Sequence, residues 1–98
     1  MCKIKTRVTA IALSVIMVAT MTVSVAASSA TITYTFFTSG SQAGITTTCR
    51  NFADVVQANA QVETSTGSTL HRFTASINAQ ATAQRGGNNP VRTGWAVW

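Results

Sequence analysis

FTASINAQATAQ, residues 73–84, alternates apolar or small residues with polar ones over its whole length. Phe73, Ala75, Ile77, Ala79, Ala81 and Ala83 share one parity, and Thr74, Ser76, Asn78, Gln80, Thr82 and Gln84 share the other. A period of two is the signature of a strand with one face buried. Ala and Gln favour helix intrinsically, but the interspersed Thr, Ser and Asn weaken that preference. His71 falls on the Phe73 parity and Leu70 does not, which places a bulge or an open turn at 70–72. Four alanines supply little volume, so this face requires bulky cover or the close approach of another sheet.

Working outward, Val56, Ala58, Ala60 and Val62 alternate with Gln57, Asn59, Gln61 and Glu63, so 55–64 reads as strand. Ser65-Thr66-Gly67-Ser68 is a turn. TITYTFF, residues 31–37, is rich in β-branched and aromatic residues, with Ile32, Tyr34 and Phe36 on one face. Ser39-Gly40-Ser41 ends it, and a shorter strand follows over 45–50. Gly86-Gly87-Asn88-Asn89-Pro90 is a break, read as a plain hairpin connection. The last strand, 91–98, sets Val91, Thr93, Trp95 and Val97 against Arg92, Gly94, Ala96 and Trp98, with Trp95 expected in the core and Trp98 exposed. The expectation is an all-β domain, a small antiparallel meander or sandwich of four to five strands.

The front of the chain has a different character. Lys3, Lys5 and Arg7 precede an uncharged stretch from Val8 to Ala30, apolar over 10–19 and small-residue over 24–30. Basic, apolar, then small is the order of a secretory signal peptide. Residues 1–27 are therefore read as a signal helix, with cleavage after Ala27, or alternatively after Ala26 or Ala30, leaving 28–98 as a small secreted β domain. Its first partners are signal peptidase and the export machinery. The alternative is a membrane anchor formed by residues 8–30, long enough to span a bilayer.

Cleavage changes the electrostatics. The whole chain carries +5, but beyond residue 27 only Arg50, Arg72, Arg85 and Arg92 stand against Asp54 and Glu63. That balance lacks the clustered basic footprint that nucleic-acid binding needs. Cleavage also removes Cys2 and leaves Cys49 alone, so Cys49 is a buried thiol, an intermolecular disulfide, a reactive site or a free exposed thiol. Domains of this size bury only about 60% of their unfolded surface, and self-association is one remedy. The 31–37 segment, with high β-propensity and no charge or Pro, has the composition that pairs with copies of itself.

No residues group into a catalytic, cofactor or metal site. His71 is the single histidine, and Asp54 and Glu63 are two isolated acids. The glycine-rich turn lacks the Lys-Ser/Thr of a phosphate loop. What remains is a candidate interaction surface: Arg85 and Arg92 flank the 86–90 turn, and Trp98 lies beside them at the end of the chain. That combination suits a membrane surface or a cell-wall polymer.

The run from Leu70-His71-Arg72 through Asn78 and Arg85-Gly86 to Thr93-Gly94-Trp95-Ala96, with an aromatic at the end, resembles the C-terminal half of the lactococcin-972-like bacteriocins. These are small exported β-sandwich peptides that interfere with cell-wall synthesis. The Tyr- and His-rich central region of that family is missing here. The sequence reading is thus a non-catalytic binding or assembly protein of the cell envelope or extracellular space, with a secreted antimicrobial peptide as the alternative.

Overall fold

The computed structural model describes residues 8–13, 19–24 and 30–98. From Thr31 onward six strands form two antiparallel sheets: β3 (Thr31–Ser39), β4 (Gln42–Arg50), β5 (Val55–Thr64), β6 (Gly67–Ser76), β7 (Ala79–Gly86) and β8 (Val91–Val97). Two earlier strands, β1 (Val8–Leu13) and β2 (Ala19–Ser24), extend them. Sheet A runs β1-β8-β5-β6 and sheet B runs β2-β3-β4-β7. The sheets pack face to face, with β4 lying against β5 and β8, and β5 against β7.

The 42–86 segment is one long hairpin bent over at its middle. β5 pairs with β6 from Val55↔Ser76 to the tip at Thr64↔Gly67. β4 pairs with β7 from Gln42↔Gly86 to Cys49↔Ala79. The two halves lie in different sheets, and the bend passes through 51–54 on one arm and 77–78 on the other. Backbone bonds hold the two corners together: Phe52 N–H to the Ile77 carbonyl at 2.9 Å, and Ile77 N–H to the Asp54 carbonyl at 3.1 Å. The side chain of Asn78 accepts from the Asn51 N–H at 3.0 Å.

The bend corrects the expected strand count. The alternation over 73–84 is real, but Ile77 takes φ 70 and cuts it into β6 and β7. The two-residue corner preserves parity. Ala75 therefore still packs against the core and Ala79, Ala81 and Ala83 are buried, while Ile77 is left half-exposed.

The core lies between the sheets. Ile32, Tyr34, Phe36 and Ile45 supply the volume from sheet B, and Val56, Ala58, Ala60, Val62 and Ala96 meet them from sheet A, all fully buried. The closest approach is at Gly94. A Cβ there would lie 2.5 Å from the Thr47 hydroxyl, 2.7 Å from the Tyr34 ring and 3.0 Å from Ile45. Nearby, the buried Thr47 hydroxyl donates to the Asn59 carbonyl at 2.7 Å, a hydrogen bond from one sheet to the other.

That contact reverses the expected facing of β8. Arg92, Gly94 and Ala96 point inward, and Trp95 lies on the partly exposed outer side. An indole at the inward position would meet Thr47 and Tyr34 at distances where even a methyl group does not fit. Small residues mark the inner face here, where hydrophobicity alone had suggested the tryptophan.

The front segment departs from its expected helix. Val8–Leu13 is a strand paired with β8, from Val8↔Val97 to Leu13↔Arg92. Ala19–Ser24 is a strand paired with β3, from Ala19↔Phe36 to Ser24↔Thr31. Thr20, Thr22 and Val23 are β-branched, and β3 and β8 offer sheet edges whose backbone groups are met by pairing. The basic start, Cys2, Ala26 and Ala27 lie outside the described residues, and no helix among the described residues is long and apolar enough to cross a membrane.

Two substitutions test this packing. Gly94→Ala is expected to cost about 1–3 kcal/mol by overpacking, read as a lower urea midpoint at unchanged slope. A β-branched residue in the left-handed region costs about 1–3 kcal/mol, and half-exposed Ile77 returns only about 1 kcal/mol through burial. Ile77→Asn, which tolerates that conformation, is therefore expected to raise stability by about 1 kcal/mol in the same measurement.

Candidate functional site

The residues first expected to form a surface are drawn into the structure. Arg85, near the end of β7, reaches across to the β5–β6 tip. Its Nε donates to the Thr66 hydroxyl at 3.1 Å and its Nη2 to the Thr66 carbonyl at 2.6 Å. Its Nη1 donates to the Ser68 carbonyl at 3.3 Å and the Thr69 hydroxyl at 3.0 Å. The five-donor guanidinium suits this role, because one planar group can meet several acceptors at once.

Arg92 is fully buried. Its Nη1 donates to the Phe37 carbonyl at 3.3 Å, and its guanidinium carbon lies 5.2 Å from the centre of the Phe36 ring. Burial lowers its pKa from the usual arginine value. Trp98 packs edge-on against buried Phe52, with ring centres 5.2 Å apart, and is partly buried against the core. Arg85 and Arg92 do not form the expected basic surface patch, and the expected exposed Trp98 is a core-edge residue.

Cys49 faces Ala79 across the β4–β7 pair and is fully buried. Desolvation pushes its thiol up to about 12, so a thiolate is scarce at neutral pH. A bridge to a second chain through Cys49 requires the sheet to open first. Beside it, at the bend, an open-sided cleft of about 450 Å³ lies between Phe73 of β6 and Arg50, Asn78 and Gln80.

The acids do not converge. Asp54 Oδ1 accepts from the Val55 N–H at 2.8 Å at the start of β5. Glu63 lies nine residues further along the extended chain, about 30 Å away at the usual strand rise. His71 pairs with Ala60, between the two acids and nearer Glu63. Among the described residues no three His, Cys, Asp or Glu side chains gather in a metal-holding group.

The most regular exposed feature is the outer face of sheet B, which the sequence reading did not single out. Register places Thr35, Thr46 and Thr82 in one row across β3, β4 and β7, and Thr33, Thr48 and Gln80 in the next. All are partly or fully exposed. The rows run across strands about 4.8 Å apart and repeat about 6.8 Å along them. The Thr46 and Thr82 hydroxyls are hydrogen-bonded at 2.9 Å, and Gln80 Nε2 donates to the Thr48 hydroxyl at 3.2 Å. At one end Phe37 lies across Gly44, where a Cβ would collide with its ring. At the other end Thr31 pairs with Arg50. Between those ends the face carries no charge. The signal was present as threonine at every second position over 31–35 and 46–48, and it needed the strand register to become a pattern.

The thiol environment gives a direct test. Because the folded pKa lies above the unfolded one, Cys49 contributes stability that is intact below about pH 8.5 and declines as pH rises toward 12. The expected result is that Cys49→Ala flattens this alkaline decline relative to the parent chain. Iodoacetamide should label Cys49 at neutral pH only when denaturant is present. No protein-family model, curated protein or solved structure matches this chain.

Proposed function

We propose that this chain is an exported, non-catalytic binding module that lays the threonine rows of sheet B on an uncharged polysaccharide of the cell envelope or extracellular space. The observation that carries the reading is the two-row array of Thr33, Thr35, Thr46, Thr48 and Thr82, with Gln80 completing the second row. Hydroxyls both donate and accept, as sugar hydroxyls do. Methyl groups between them offer apolar contact, and the Phe37 ring beside Gly44 adds an aromatic surface at the end of the rows. A face without charge favours a neutral partner over an anionic membrane or nucleic acid. Export is the reading of the basic, apolar and small-residue order at the front of the sequence, and the intact mass of the exported form tests it.

Co-sedimentation of the exported protein with insoluble neutral polysaccharides such as cellulose or chitin tests the binding. Retention should change less than about twofold between low and high salt, since no ion pair is formed or screened. Phe37→Ala should weaken it about tenfold, roughly 1.4 kcal/mol, and Thr46→Val by a smaller factor with the fold intact. Absence of binding, or binding abolished by salt, would overturn the reading. The resemblance of 70–96 to secreted bacteriocins supports a second reading, and inhibition of neighbouring strains by the exported protein would favour it.

A further inference from the structure

We infer that, once residues 1–27 are gone, the open edge of β3 pairs with β3 of a second copy, so that the threonine rows run on across a symmetric dimer. The inference rests on the proposed export of the chain, because it is cleavage that removes β2.

In the full chain β2 occupies this edge. It sets Thr20 opposite Thr35, Thr22 opposite Thr33 and Val23 opposite Ile32. Cleavage strips six paired positions from β3 and leaves a row of backbone donors and acceptors in need of partners. A second β3 can replace what is lost, because it repeats the same alternation. In an antiparallel pair centred on Tyr34, Thr33 stands opposite the partner's Thr35, and Ile32 opposite the partner's Phe36. Threonine meets threonine on the outer face and apolar meets apolar on the inner.

The other edges are guarded. β8, the edge that loses β1, carries Arg92 and Gly94 and follows Pro90. β6 carries His71 and Arg72, and β7, uncharged from Ala79 to Gln84, ends at Arg85-Gly86. From Thr31 to Ser39 β3 has no charge, Gly or Pro, so nothing in it opposes pairing. A self-complementary edge gives a closed two-fold dimer and does not propagate into a fibre. Each row of one copy then meets a row of the other in a single sheet ordered β7-β4-β3-β3-β4-β7.

The test uses the full chain with a protease site inserted between Ala27 and Ser28, purified folded and then cut. As the 1–27 peptide is released, sedimentation should show a species of twice the mass of the 28–98 fragment. Thr33→Lys with Thr35→Lys, both on the outer face, should stay monomeric after cutting, with the β circular-dichroism signal unchanged. Thr33→Cys with Thr35→Cys should cross-link the cut chain under oxidation, and this pair reports any register centred on 33, 34 or 35. A cut chain that has lost residues 1–27 and stays monomeric and folded would overturn the inference. So would a dimer formed equally well by the lysine variant. An exported form whose intact mass retains residues 1–27 would instead overturn the export reading, whatever the cut chain does.

Discussion

The architecture depends on how closely the two sheets approach at Gly94. With no side chain there, Tyr34 and Ile45 of sheet B come down onto the backbone of β8, and Thr47 reaches the Asn59 carbonyl of sheet A. The alanines on both inner faces extend this closeness along the sandwich: Ala58, Ala60 and Ala96 on one side, Ala79, Ala81 and Ala83 on the other. The large apolar side chains Ile32, Tyr34, Phe36 and Ile45 come from β3 and β4, while sheet A contributes Val56, Val62 and Arg92, the largest fully buried side chain. Both inner faces thus mix bulky and small residues. Such a core tolerates little enlargement, because each added methylene has to displace packed atoms.

Much of the fold was legible from alternation. The strand character of 31–37, 45–50, 55–64 and 91–98 follows from period-two patterning and β-branched content; the 73–83 face points inward at Ala75, Ala79, Ala81 and Ala83, whereas Phe73 and Ile77 of the same parity are about half exposed. Two features were not legible. The first is the corner at Ile77. Nothing marks an isoleucine as a bend, since its left-handed backbone is imposed by hydrogen bonds to Phe52 and Asp54 on the opposite arm. The second is the facing of β8. Trp95 and Arg92 sit on faces opposite to their usual preferences, and only the distances around Gly94 explain why.

The candidate site was less legible than the fold. Arg85, Arg92 and Trp98 draw the eye in a sequence with few charged or aromatic residues. In the structure each is spent on internal contacts, with the Thr66–Thr69 tip, with Phe36 and Phe37, and with Phe52. A chain poor in charge uses its arginines where one group can satisfy several carbonyls and hydroxyls. The exposed array is made instead of threonine, which in a single sequence is indistinguishable from ordinary strand composition. Its ordering appears only when β4 is aligned with β3 on one side and β7 on the other.

The bent hairpin also sets a sequence of events for the folding chain. Its tip brings Thr64 and Gly67 together across the shortest of loops, where closure entropy is least. Each further pair along β5 and β6 then shortens the loop still to be closed by the next, up to the corner. The β4–β7 arms, though far apart in sequence, can zip from Cys49 and Ala79 without a large entropic search. Contacts that look non-local on paper can thus form in a local order. β3 can follow on the short turn that joins it to β4, and β8 closes the other sheet against β5 from a chain already held in place.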